Sequence, residues 1–221
     1  MASTFGALTA LAGIEHGIGE TLQGNVAPKG MMILSWPEAS FFQIMAGEPA
    51  MTVVSNLLAT GILAILFSTI FLVWATMFVQ EKYGGLVLIL LSTVLLLVGG
   101  GFGPPIFGVV IGAAATRINS PPTWWRAQLP DGLRHFLGKL WPWSYGACLL
   151  AWLSMFPGTN ILYYFFGVDN PNLIFILLLF MFGFLFLTII TGFAHEIQSQ
   201  IDAPFGALDS GVVRDLSLNR G

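Results

Sequence analysis

Between Gly85 and Thr116 an apolar segment is interrupted by Gly99-Gly100-Gly101-Phe102-Gly103-Pro104-Pro105, and nothing else limits what this chain can fold into as severely. Drawn as one straight helix from Gly84 to Arg117, the stretch would run roughly 50 Å at 1.5 Å per residue, against a hydrocarbon core of roughly 30 Å. Its glycines remove side-chain packing, and its prolines remove amide donors and the helical preference of each preceding residue. The sequence therefore predicts a break at 99–105. Backbone groups freed at such depth must be covered by protein or water.

The surroundings of the break are those of a bilayer protein. Of 221 residues, 56% are hydrophobic and 9% charged, where soluble domains carry about a quarter charged; mean hydropathy is +0.82. The expected class is an all-α integral membrane protein, a bundle of about five transmembrane helical elements at 4–21, 52–79, 85–117 (broken at 99–105), 140–156 and 173–196. An interfacial amphipathic helix is expected beside them, and one membrane domain over 1–202 precedes a polar tail, 203–221. A net charge of -3 with few basic residues gives no footprint for nucleic acid. The single Cys148 excludes an intrachain disulfide and a cysteine metal cluster. Met1 to Glu20 lacks a basic leading region and is not read as a cleaved signal.

Along the first helix Gly6, Ala10, Gly13, Gly17 and Gly24 fall on one stripe, and Gly13 with Gly17 forms a GxxxG pair suited to a close neighbour. Glu20 shares that stripe and His16 borders it. Glu15 projects to the opposite side, toward Leu8 and Leu11, where it needs either a second element over it or a shallow helix. Residues 22–50 read as a linker with an interfacial piece around Trp36, Phe41 and Phe42. Thr52, Asn56 and Thr60 recur every fourth residue and mark an inward face of the next span. After the polar turn Gln80 to Gly84 comes the broken element, whose second half carries another glycine pair, Gly108 and Gly112.

Arg117 to Lys139 holds four of the eight basic residues, Arg117, Arg126, Arg134 and Lys139. That places this short loop, and with it the C-terminus, on the cytoplasmic side of what is expected to be the cell membrane. Leu133, Phe136, Leu137 and Leu140 share a helical face there, with Trp124, Trp125, Trp141 and Trp143 nearby, as in a helix lying on the membrane surface. Pro157 ends or kinks the following span, and Tyr163 to Phe166 with Asp169-Asn170-Pro171 read as an aromatic rim and a turn. The last span turns one-sidedly polar at Thr188, Thr191, His195 and Gln198.

Two sets of residues are candidates for chemistry. His16 and Glu20, spaced i, i+4, and His195 with Glu196 offer imidazole and carboxylate, a donor set for zinc or non-haem iron or for a proton relay. The bland alternative has each pair satisfied within helix packing or headgroup water. If 84–117 crosses once, Glu20 and His195 reach the same membrane face; if it dips and returns, they do not. The second set is Gly99, Gly100, Gly101 and Gly103 with Asn56 and Thr60, lining a cavity whose exposed helix ends bind an ion or solute. The leading expectation is thus a membrane protein that binds or passes a small solute, ion or lipid around the break. The rival is a metal-dependent membrane enzyme using His16, Glu20 and His195. A third reading is a packing subunit that meets partner helices, or a second copy, through its GxxxG faces.

Overall fold

The computed structural model describes residues 1–118 and 129–202, and these are mostly helical. Helix α1 (Ala2–Leu22) leads into a capping segment. This segment contains strand β1 (Met32–Leu34), a 3-10 turn (Ser40–Met45) and strand β2 (Pro49–Met51), the strands pairing antiparallel with Ile33 opposite Ala50. Helix α2 (Leu57–Val73) continues through a π turn (Trp74–Phe78), and α3 (Gly84–Leu97) and α4 (Gly103–Ala115) follow. Helix α5 (Asp131–Leu153) ends in a second π turn (Ser154–Gly158), before a short α6 (Thr159–Phe166) and a long α7 (Pro171–Asp202). Two helical stretches, Leu57–Phe78 and Asn172–Ser199, are long and apolar enough to cross a membrane.

The chain divides into two units, Met1–Pro121 with Trp152–Leu178, and Pro122–Ala151 with Leu179–Gly221. In the first, α1 and α2 run antiparallel in close contact. A β-carbon at Gly17 would stand 2.8 Å from the Gly61 carbonyl oxygen, while Gly6 abuts Ala75 and Gly13 abuts Ser68. Gly24 is the exception on that stripe: it lies past the helix end at φ +80°, with nothing near it. The second glycine pair serves the same purpose, Gly112 meeting Ile89 and Gly85, and Gly108 meeting Ser92. Both pairs are therefore taken up by contacts within the chain.

Those last contacts overturn the expectation of one broken crossing. Gly85 lies against Gly112, Ala115 and Thr116, so α3 and α4 are the antiparallel arms of a helical hairpin. Its tip is the glycine cluster, where the chain turns through Gly99 and Gly101 at φ +91° and +78°. These are left-handed conformations that residues with a β-carbon rarely adopt. Pro104 and Pro105 occupy the first turn of α4, where their missing amides have no helical partner in any case. The arms measure only about 20 Å each at 1.5 Å per residue. Gly84 and Arg117 consequently lie at one end of the hairpin.

Three further expectations change. The linker 22–50 is an ordered cap: Val53 N–H donates to the Leu97 carbonyl and Gly99 N–H to the Met51 carbonyl, which ties the cap to the hairpin tip. The surface helix and the span expected from 140 are one continuous helix, α5, with Pro142 inside it. Proline there forfeits a hydrogen bond to the carbonyl of Gly138. Tyr163 to Phe166, expected as a rim, belong to helix α6, and Phe156 takes an extended backbone before Pro157. Residues Trp124, Trp125 and Arg126 and the tail 203–221 lie outside the described residues.

In the second unit α5 and α7 pack antiparallel. Ser144 and Thr191 hydroxyls meet at 2.7 Å, and Cys148 is buried beside Met181.

Candidate functional site

Three pieces of the first unit meet where α1 ends, α2 begins and the hairpin turns: the helix segment Glu15-His16-Gly17-Ile18-Gly19-Glu20, the glycine tip, and the cap. His16 and Glu20 are buried, 4% and 0% exposed, one helical turn apart on α1. Gly101 lies directly against His16 Nε2 and Gly99 directly against the Glu20 carboxylate and Thr60. A β-carbon at either glycine would fill the space beside those polar atoms. The two candidate sets read from sequence, the histidine–glutamate pair and the glycines of the break, are therefore neighbours.

The cap supplies the remaining groups. Ser35 Oγ lies 2.8 Å from His16 Nδ1 and donates to Glu20 Oε1 at 3.2 Å. Trp36 Nε1 donates to Glu15, which draws that carboxyl under the cap. Glu48 is 3% exposed, and its Oε2 stands 3.6 Å from His16 Nε2, close enough for ionic attraction and too far for a hydrogen bond. Both Glu48 oxygens and Glu20 Oε2 are buried without a hydrogen-bond partner. One donor atom from each of Glu15, His16 and Glu48 falls within 4.8 Å of the others.

Glu48 is held there against two penalties. Its φ is +56°, following Ala46 at +53° and Gly47 at +75°, and a non-glycine residue in that region costs about 1–3 kcal/mol. The turn survives because the hairpin ladder continues through it: Ser35 N–H donates to the Glu48 carbonyl at 3.0 Å and Trp36 N–H to the Gly47 carbonyl at 2.9 Å. Burial is the second penalty. It pushes the Glu48 carboxyl well above the ordinary carboxylate range, and the adjoining Glu15 carboxyl pushes it further. Two carboxyls can hydrogen-bond one another only through a shared proton.

Other candidates lie elsewhere. Asn56 caps α2, accepting from Ala59 N–H at 3.0 Å, and also pairs with Asn25; it is the helix cap rather than part of the cluster. Thr52 precedes the helix instead of sharing its face, yet its hydroxyl reaches Thr60 at 3.0 Å. Gly100 packs on Leu95, and Gly103 opens α4. His195 and Glu196 are exposed residues of the second unit, where His195 stacks on Trp141 at 4.8 Å. The single crossing that would bring His195 to the face of Glu20 is absent, because the hairpin returns. Sequence reading missed Ser35 and Glu48 and turned Glu15 away from the cluster. A pocket of about 430 Å³ opens beside Ser35, lined by Gly19, Gln23, Trp36, Glu38 and Leu57.

No family model, curated protein or solved structure matches the chain.

Proposed function

We propose that this is a multi-pass membrane protein that binds a small ion or solute at the polar cluster under the turn of its broken element. The observation that carries the reading is a charge imbalance. Three glutamates and one histidine converge, and among the described residues no lysine or arginine is buried to offset them. Isolated buried carboxylates are so costly that they are paired, protonated or bound to a cation. Membrane embedding is supported by apolar side chains left exposed on the helices, among them Leu66 and Met77 on α2, Leu90 on α3, and Phe175 and Leu179 on α7. In this reading α1, the hairpin and α5 join the two long helices in the bilayer. The basic loop after Arg117 is cytoplasmic, which puts the turn at 79–83 on that same side and the cluster near the opposite face.

The test is a thermal-stability scan of the purified full chain in mild detergent against a panel of monovalent and divalent cations and small anions. At least one should raise the melting temperature by several degrees, as ligand well above its Kd does. The shift should be lost in Gly99→Ala, which crowds Glu20, and in Thr60→Val. No shift with any member of the panel would overturn the reading.

A further inference from the structure

Hydrogen-bond bookkeeping around His16 narrows what the cluster can hold. The Ser35 hydroxyl has one hydrogen and gives it to Glu20 Oε1, so its oxygen must accept from His16 Nδ1–H. In the neutral ring Nε2 then carries a lone pair. That lone pair looks toward Glu48 Oε2 at 3.6 Å and toward Glu15. Three electron-donating atoms thus face one another with nothing positive between them. Protonating His16 would supply one charge, against three carboxylates in the cluster; a divalent cation supplies two and leaves the imidazole as a neutral ligand.

We propose that Glu15, His16 Nε2 and Glu48 ligate a divalent transition metal of the zinc or ferrous-iron class, with Ser35 and Glu20 as positioning residues that fix the ring.

The donor set is one nitrogen and two carboxylates. Imidazole favours zinc and iron over magnesium and calcium, which prefer all-oxygen shells. A chain of carboxylate, hydroxyl and imidazole is the kind of outer shell that orients a metal-bound histidine and raises its basicity. Donors around a four-coordinate zinc bonded at about 2.0–2.1 Å stand roughly 3.4 Å apart. The 3.6 Å between His16 and Glu48 is close to that spacing, and Glu15 needs a side-chain rotation to match. The strained turn at Glu48 gives the second, independent sign: a glutamate 97% shielded, at positive φ, aims two unpartnered oxygens into the cluster. Gly101 keeps the flank of Nε2 clear. The assignment rests on the ion-binding reading above and specifies its ligand.

Zinc is the probe. The full chain in detergent is stripped with chelator and titrated with Zn²⁺ against a chromophoric competitor, with folding followed by size-exclusion profile; X-ray absorption then reads the bound metal's shell. One zinc per chain is expected, with nitrogen and oxygen neighbours, an imidazole signature and no sulfur. Affinity should fall at least tenfold in Glu48→Gln and in Glu15→Gln, two variants chosen so that loss of fold in one leaves the other. Ser35→Ala should keep the stoichiometry while weakening binding about tenfold and moving the pH midpoint of zinc uptake upward, a shift that a purely structural role would not produce. Absence of stoichiometric zinc or ferrous iron in folded protein would overturn the assignment, as would undiminished binding in both glutamine variants. If zinc fails while another ion or solute stabilises the protein in the scan, the metal assignment falls and the ion-binding reading stands. If nothing stabilises it, both fall.

Discussion

Glu48 combines an unfavourable backbone with a buried carboxyl, and its effect on stability has a definite sign. Its folded-state pKa lies above the ordinary 4.5, so as pH rises the unfolded chain releases this proton first. The folded state then holds the extra proton, and stability falls with rising pH through the window between the two values. In chelator-treated protein the melting temperature should drop from about pH 5 to about pH 9, this group contributing at most about 1.4 kcal/mol per pH unit. Glu48→Gln should flatten the profile; an unchanged slope would assign the effect to another group. Glu48 was illegible in the sequence, because Ala46-Gly47-Glu48-Pro49 reads as an ordinary polar turn. Two strands of three residues are too short for an alternating pattern to announce the hairpin that carries it. His16 and Glu20 were legible because helical spacing alone puts them on one face. Glu15 was misplaced by the same wheel, which cannot show that a cap folds back over the helix and offers Trp36.

The glycine stripe of α1 was readable from spacing, and its use is close approach to α2. Gly17→Val would force branched side-chain bulk against the Gly61 carbonyl. It should cost about 1–3 kcal/mol, as overpacking does, measured by denaturation in detergent. Asn56 separates capping from ligation. Asn56→Ala should destabilise by about 1 kcal/mol through loss of the α2 cap and leave zinc affinity unchanged; a fall in affinity would return Asn56 to the site. The break at 99–105 was also legible, since glycine and proline punctuate a helix wherever they cluster. Whether the chain carried on or doubled back was not. That depends on Gly85 meeting Gly112 and Ser92 meeting Gly108, pairings between arms that local propensity does not encode.

Sidedness follows from that doubling back. With the basic loop cytoplasmic, Lys82 lies inside and Asn25, beyond α2, lies outside, which reverses the order expected from a single crossing. In a Cys148→Ala background, cysteine at Asn25 should react with a membrane-impermeant label added to intact cells, and cysteine at Lys82 should react only after permeabilisation. The opposite pattern would refute either the hairpin or the orientation. A hairpin also has even parity. Because it delivers the chain to the side from which it took it, a version lacking 84–117 would thread every later helix in the same direction. The pair can be gained or lost as a cassette without inverting the rest, and only the roof over His16 and Glu20 would go with it.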